Sequence, residues 1–271
     1  MRVRDLGQTH SAALCETCPS VERCLTPSLL QHLQDGRAAD LRISTYPTAA
    51  WIIRQHQPQV GIHIVCTGSV AISAERADRR ETVLYIGGRD CIMNLEDWAL
   101  ARPIYSLSAR ALTESTVIFI GKDDLRRLYE SDPAIAQLMT HYLARRMESA
   151  QQRHIRSMTT DVKSRLMTAF SELLEATGQQ TDQTARFQFP ITRQLLADIV
   201  GAAPESISRV LTDLEAETLI MREPAHIAIP DVPRFLARAG SITKEPPAGR
   251  PSNAPAHTAM LVHSIQPRRH R

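Results

Sequence analysis

The stretch that decides the fold runs from Ile191 to Ile220 and reads ITRQLLADIVGAAPESISRVLTDLEAETLI. Its first half predicts a helix, because apolar residues recur at helical spacing after Thr192, a residue type that caps helix N-termini. Gly201 ends this helix, since glycine adopts positive φ most easily. Pro204 then opens a second helix, at a position where its missing N–H costs nothing. The apolar positions of the two helices are Leu195, Leu196, Ile199, Val200, Ile207, Val210, Leu211 and Leu214.

The second helix also has a polar face. Arg209 can donate two hydrogen bonds to guanine, and Glu205, which lies on the same face four residues earlier, can accept one from cytosine. The alternative is a solvated helix face with an incidental Glu–Arg pair. Two helices joined by a glycine-bearing turn are the unit that lays its second helix in a DNA major groove. The predicted DNA-binding residues are Thr192, Arg193, Glu205, Ser206, Ser208 and Arg209.

This stretch resembles the Crp/Fnr superfamily of bacterial transcription regulators. The segment from Glu205 to Arg209, ESISR, matches the E-x-x-S-R signature of the Fnr branch. The cyclic-AMP receptor branch has arginine before the glutamate, where this chain has Pro204. The resemblance covers roughly residues 10 to 236. It implies a homodimer that binds a palindrome resembling TTGAT-N4-ATCAA on double-stranded DNA, acts as an activator and has RNA polymerase as a partner.

Length and composition bound the class of protein. At 271 residues the chain is long enough for two domains, and its net charge of +3 does not by itself indicate a nucleic-acid binder. The segment Met1–Leu14 lacks the apolar core of a signal peptide, and no apolar run reaches the roughly 20 residues of a membrane helix. We therefore expect a cytoplasmic protein without membrane contact. No phosphate-binding loop, carboxylate pair or Ser-His-Asp arrangement is recognisable, so we expect no enzymatic activity.

Five cysteines, an odd number, favour metal or redox chemistry over disulfides. Cys15, Cys18 and Cys24 lie within CETCPSVERC at C-x2-C-x5-C spacing, which lets three thiolates reach one metal or cluster. Thiolates select iron–sulfur clusters, zinc or copper(I), and His10 and His32 flank the segment as further zinc ligands. In the Fnr branch this spacing holds a [4Fe–4S] cluster, and the intact cluster favours the DNA-binding dimer.

The fourth cluster ligand is where the sequence departs from the family. The family's fourth cysteine aligns with Ile118, which cannot ligate iron. Cys66 shares a face with apolar residues of a β-like run, so we expect it to be a buried core thiol. Cys91 lies at a loop-to-strand edge, and we take it as the fourth ligand, with Asp90 as a substitute. A regulator that responds to nitric oxide or thiol oxidation and a zinc-stabilised DNA-binding protein without sensing remain open as alternatives.

Short β-like runs separated by glycine turns predict an antiparallel jelly roll in the first half of the chain. The pattern from Val65 to Ala71 resembles the cyclic-nucleotide-binding fold. That fold binds the nucleotide through a Gly-Glu pair and an Arg-Ser pair; here Asn94 stands at the glutamate position and Tyr105, before Ser106, at the arginine position. Because a cyclic phosphate would lack its bidentate arginine, we expect no cyclic nucleotide. The predicted strands are 51–53, 61–65, 70–74, 82–86, 106–112 and 117–120.

A long segment without internal proline or glycine, from about Pro133 to Gly178, predicts the dimerisation helix. Polar residues within its predicted seam, Arg145, Arg146, Glu148 and Arg153, indicate a weak and therefore adjustable pairing. Its apolar stripe consists of Ile135, Leu138, Met139, Tyr142, Leu143, Met147, Ala150, His154, Ile155 and Met158.

The predicted fold class is α+β, with a cyclic-nucleotide-binding-like jelly roll, a long dimerisation helix and a C-terminal winged helix-turn-helix. Runs at 187–190 and 225–229 are predicted as the wing strands. The last residues are rich in proline and basic side chains and predict a disordered tail. The predicted divisions are a cysteine-rich segment (1–28), the sensory jelly roll (29–131), the dimerisation helix (132–158), the winged helix-turn-helix (159–236) and the tail (237–271).

Overall fold

The structure is a computed structural model that describes residues 4–5, 40–78, 80–177, 183–187, 189–223 and 226–242. Cys15, Cys18, Cys24 and the tail after residue 242 lie outside these ranges. The strands are β1 (Arg4–Asp5), β2 (Leu41–Tyr46), β3 (Trp51–Ile53), β4 (Gly61–Thr67), β5 (Val70–Glu75), β6 (Glu81–Gly87), β7 (Ile92–Met93), β8 (Ser108–Ala111), β9 (Ser115–Gly121), β10 (Ala185–Arg186), β11 (Met221–Arg222) and β12 (Ile227–Ile229). The helices are α1 (Leu95–Ala99), α2 (Lys122–Ser131), α3 (Pro133–Thr159), α4 (Val162–Thr177), α5 (Arg193–Val200), α6 (Pro204–Ala216) and α7 (Val232–Ile242).

Two antiparallel sheets form the N-terminal barrel, which confirms the predicted jelly-roll fold. One sheet has the order β1-β2-β9-β4-β7, and the other has the order β3-β8-β5-β6. The side chains between the sheets form one core, which includes Val65, Ile72 and Val117. The outer face of the first sheet is also buried, because α2 and α3 pack against it through residues such as Leu125 and Ile135. Burial on both faces explains why β4 is a continuous apolar run rather than an alternating one.

The long helix α3 begins at Pro133, and the Asp132 side chain caps it by accepting a hydrogen bond from the amide of Ala134 at 2.9 Å. Its N-terminal half packs on the barrel. Large apolar side chains are exposed along its C-terminal half, with Met147 61% exposed and Met158 72% exposed. The helix therefore changes role along its length, from covering the barrel to presenting an uncovered apolar surface.

Two basic residues of the predicted seam contact the barrel of their own chain. The guanidinium carbon of Arg146 lies 3.7 Å from the ring centroid of Tyr85 in β6, and that of Arg153 lies 5.9 Å from the same ring. The sequence did not indicate this contact, because it does not show which strand the helix packs against. Their place in a dimer seam stays a prediction.

The C-terminal domain surrounds a core of aromatic residues, including Phe170, Phe187 and Phe235, with α4 to α7 and the small sheet β10-β12-β11. Strand β12 lies within the run predicted from residue 225. The first wing strand precedes the predicted position by two residues, and β11 was not predicted. Helix α7 continues to Ile242, past residue 236 where the sequence predicted this domain to end.

Candidate nucleic-acid interface and cysteine site

The turn between α5 and α6 has the geometry that its sequence predicts. Thr192 caps α5, and its hydroxyl accepts a hydrogen bond from the amide of Leu195 at 3.1 Å. Gly201 ends the helix at φ 67°, in the left-handed region, where other residue types would be strained. Pro204 is the first residue of α6. These three residues fix the angle between the helices by local backbone preference.

Helix α6 presents a polar face to solvent. The side chains of Glu205 and Arg209 are exposed, and neither side chain makes a hydrogen bond or ion pair with any residue that the structure describes. Ser206 and Ser208 are half-buried beside them. Arg193 of α5 reaches across the turn, where its Nη1 donates to the hydroxyl oxygen of Ser208 at 3.4 Å. The helix pair thus brings arginine, glutamate and hydroxyl groups together with their hydrogen-bonding capacity available.

The wing contributes two arginines that the sequence analysis did not select. Arg186 of β10 pairs with Glu223, its Nε lying 3.0 Å from Oε2. Arg222 of β11 pairs with Glu215 of α6 at 2.7 Å between Nε and Oε2. Each positive charge is largely neutralised by its partner. The partners are distant in sequence or belong to different elements, so no local pattern indicates these pairs.

The positions that would bind a cyclic nucleotide are engaged within the barrel. Tyr105 is buried; its hydroxyl donates to the carbonyl oxygen of Gly61 at 3.0 Å and accepts from the amide of Val60 at 3.3 Å. The side-chain amide of Asn94 donates to the carbonyl oxygen of Leu107 at 3.1 Å. Both side chains therefore stabilise the barrel itself and do not offer a charged group to a phosphate.

The two cysteines of the barrel differ from each other in burial. Cys91 is only 9% exposed, and its Sγ lies 4.0 Å from the hydroxyl of Tyr142. Burial raises the pKa of the Cys91 thiol to about 11. Cys66, expected to be buried, is half-buried on the face that packs against α2 and α3. The turn before Cys91 also buries Oδ1 of Asp90, which has no hydrogen-bond partner among the described residues.

No three His, Cys, Asp or Glu side chains lie close enough together to hold a metal ion within the described ranges. The three clustered cysteines fall outside those ranges, so the predicted ligand set of Cys15, Cys18, Cys24 and Cys91 stays a prediction. Among the helices of the described residues, none is both long and apolar enough to cross a membrane.

A buried histidine lies inside the barrel. The ring of His63 is 5.0 Å from that of Phe119 and 6.4 Å from that of Tyr105, measured between centroids. Its Nδ1 is buried without a hydrogen-bond partner among the described residues. Burial lowers the pKa of His63 to about 3, with a smaller contribution from the charge of Arg42. The ring is therefore neutral at physiological pH.

Comparison with known proteins agrees with this architecture. Residues 43–132 match the cyclic nucleotide-binding domain, and residues 164–238 match the Crp-like helix-turn-helix domain. A CRP-like cAMP-activated global transcriptional regulator of Mycobacterium tuberculosis is 26% identical over 72% of this chain and 86% of its own length. The HTH-type transcriptional regulator Cmr of the same species is 27% identical over 86% of this chain and 92% of its own length. FixK2 of Bradyrhizobium japonicum has the same fold, with a TM-score of 0.62 at 18% identity over 73% of this chain and 97% of its own.

A barrel of this type joined to a Crp-like helix-turn-helix defines a regulator that binds DNA. The chain belongs to the Crp/Fnr family of transcription regulators.

Proposed function

We propose that this chain is an Fnr-type regulator. It forms a homodimer, binds a palindrome resembling TTGAT-N4-ATCAA and acts on RNA polymerase as an activator. It senses oxygen or redox state through a [4Fe–4S] cluster on Cys15, Cys18 and Cys24. The observation that carries the proposal is the C-x2-C-x5-C spacing in the same chain as Glu205 and Arg209 of α6, which are exposed and have no side-chain partner in the part of the chain that the structure describes.

The recognition chemistry follows from the polar face of α6. Arg209 has no ion pair to give up within the described part of the chain, so its guanidinium is available to O6 and N7 of guanine. Glu205, one turn earlier, accepts from the N4 amino group of cytosine. Arg193 supplies a positive charge beside Ser208, in a position suited to a phosphate. Together these groups support sequence-specific binding in the major groove.

The exposed half of α3 supports the proposed dimer. Met147, Ile155 and Met158 are large apolar side chains left open to solvent on one helix. They recur at helical spacing, and an apolar stripe of this kind is usually covered by another chain. A second copy packed along this half of α3 would cover it and would place two recognition helices on one DNA duplex.

The described residues that would complete the cluster site supply suitable donors. The thiol of Cys91 and Oδ1 of Asp90, which no described residue hydrogen-bonds, belong to neighbouring residues. Because burial raises its pKa, the Cys91 thiol keeps its proton at neutral pH unless a metal displaces it. Cys91 would then join the three N-terminal cysteines as the fourth ligand. When bound, an iron–sulfur cluster supplies a redox-active group, and these residues hold it against the barrel.

Cyclic-nucleotide activation is the competing function, because the relative from Mycobacterium tuberculosis is named as cAMP-activated. In this chain the position of the phosphate-binding arginine is Tyr105, whose hydroxyl is already hydrogen-bonded to the backbone on both sides. A buried tyrosine offers no positive charge to a cyclic phosphate. We therefore propose that the barrel does not bind cyclic nucleotides.

The proposal is tested by purifying the protein without oxygen and measuring iron, sulfide and the visible absorption spectrum before and after exposure to air. We expect a cluster spectrum that air abolishes, and near-zero iron after single alanine substitution of Cys15, Cys18, Cys24 or Cys91. Cys66→Ala is the matched control, since it removes a barrel thiol on the opposite face of the sheet. If Cys66→Ala loses iron and Cys91→Ala keeps it, the fourth ligand is Cys66 and not Cys91, and the cluster proposal still holds.

Two other outcomes select the alternatives. A colourless protein that contains zinc would favour the zinc-stabilised DNA-binding protein and reject the sensor. Cysteines that hold no metal but change DNA affinity after treatment with nitric oxide or peroxide would favour a thiol-based regulator.

A further inference from the structure

The barrel and the DNA-binding domain are in contact along strand β6. Among the strands that the structure describes, β6 is the outer one of its sheet, so one row of its backbone amides has no strand partner there. The amide of Val83 donates to Oδ2 of Asp198 on α5 at 3.2 Å. The other carboxylate oxygen of Asp198 accepts from Nε2 of Gln194 at 2.8 Å. Asp198 therefore joins the first helix of the helix-turn-helix to the edge of the barrel.

Two further contacts accompany this hydrogen bond. Val83 and Ile86 of β6, with Leu112 after β8, pack against the apolar core of the DNA-binding domain. Gly88, immediately after β6, lies directly against the backbone of Ala176 in α4, where any Cβ would overlap the Ala176 carbonyl oxygen. Only glycine permits this approach. The domains thus meet through a polar contact, an apolar patch and a close backbone contact.

The contact leaves the recognition face of α6 open. It is made by α4 and α5, whereas Glu205 and Arg209 lie exposed on α6. The barrel therefore does not block DNA; it fixes the orientation of the helix-turn-helix. Orientation matters for a palindrome, because two recognition helices must lie about 34 Å apart to enter successive major grooves. A domain already held in place loses less freedom when it binds.

We propose that Asp198 and Gly88 are positioning residues, which hold the helix-turn-helix against β6 in the orientation that a dimer needs to bind a palindrome. This inference rests on the proposed dimeric DNA binding. It distinguishes two kinds of site: a full palindrome requires both domains in register, whereas a half-site requires only one recognition helix. Detaching the domain should therefore weaken palindrome binding and leave half-site binding unchanged.

The variants are Gly88→Ala, which inserts a methyl group between the domains, and Asp198→Ala, which removes the acceptor for Val83. Asp198→Asn keeps an acceptor oxygen and should behave as the parent. Gly240→Ala is the control for the glycine substitution, because a Cβ at Gly240 meets no atom of the described residues within 4 Å. Fluorescence anisotropy measures binding to a TTGAT-N4-ATCAA duplex and to a duplex with a single TTGAT. Gly88→Ala and Asp198→Ala should lose about tenfold affinity for the palindrome alone.

Amide hydrogen exchange tests the contact itself. The Val83 amide should exchange faster in Asp198→Ala and Gly88→Ala than in the parent and in Gly240→Ala. Equal loss of affinity for palindrome and half-site would mean damage to the domain and would overturn the positioning role. So would unchanged or increased palindrome affinity in both variants. If the parent binds neither duplex, the proposed function fails; if the parent binds and the variants match it, only this inference fails.

Discussion

Replacing Arg209 with alanine tests the base-reading role of α6 most directly. The side chain is exposed and has no partner among the described residues, so its removal should not disturb folding. Loss of one bidentate contact to guanine costs about 1–3 kcal/mol. A dimer on a palindrome loses the contact twice, which gives about 2–6 kcal/mol. The expected loss of affinity lies between about thirtyfold and about twenty thousandfold.

The assay combines the substitution in the protein with a substitution in the DNA and measures the affinity of all four pairs. Anisotropy is measured for parent and Arg209→Ala with the TTGAT-N4-ATCAA duplex and with a duplex whose two G·C pairs are replaced by A·T. If Arg209 reads guanine, the replacement weakens the parent strongly and the variant little. Arg209→Lys keeps the charge without the forked geometry and should resemble alanine. Arg126→Ala, an exposed arginine of α2, controls for loss of one positive charge.

Two results would refute the reasoning. If Arg209→Ala weakens both duplexes equally and lowers the salt dependence by about two units, one for each subunit of the dimer, the side chain contacts a phosphate and does not read a base. If its affinity equals that of the parent for both duplexes, the polar face of α6 is not the DNA-binding surface.

Two further predictions concern the barrel. Calorimetry should detect no binding of cyclic AMP or cyclic GMP, because Tyr105 replaces the phosphate-binding arginine; a dissociation constant near 1 μM, about −8 kcal/mol, would contradict this. His63 is neutral in the folded protein because its folded-state pKa is lowered to about 3, so only the unfolded chain takes up this proton as the pH falls below about 6.5. Stability should therefore fall by about 2 kcal/mol between about pH 7 and about pH 5, and urea unfolding should show a smaller fall in His63→Phe; equal falls in both proteins would refute the prediction.

The helix-turn-helix could be predicted because its determinants are local. Thr192, Gly201 and Pro204 act on the backbone within one turn of themselves, and the structure confirms the role of each. The barrel strands were found where apolar runs end at glycine. Strand β2 was missed although Leu41 and Ile43 alternate with polar residues, because its partner β9 lies 69 to 79 residues further along the chain.

The properties that failed or stayed untested depend on long-range packing. The sequence of β4 suggested a buried Cys66, which is half-buried, because burial also depends on the helices that cover the strand. Tyr142 of α3 lies over Cys91, with its hydroxyl bonded to both backbone groups of Ile92. The residues around Cys91 do not predict its contact with Tyr142, because that tyrosine lies 51 residues further along the chain. Hydrophobic periodicity does not predict the contact between Val83 and Asp198 either, since these residues are 115 positions apart.

Strand β6 contacts three parts of the molecule: Cys91, the long helix α3 and the first helix of the helix-turn-helix, α5. Tyr85 lies under the guanidinium of Arg146, two residues after Val83, whose amide binds Asp198. Leu84 between them is the extra residue of a β-bulge opposite β5, and a bulge re-aims the side chains on either side of it. The strand then ends at Gly87, which packs against the side chain of Cys91. A movement of Cys91 would therefore shift β6, and the shift of this one strand would change its contacts with both α3 and α5. Such coupling requires that Cys91→Ala and Asp198→Ala change DNA affinity non-additively, since residues that act through one element do not contribute independently.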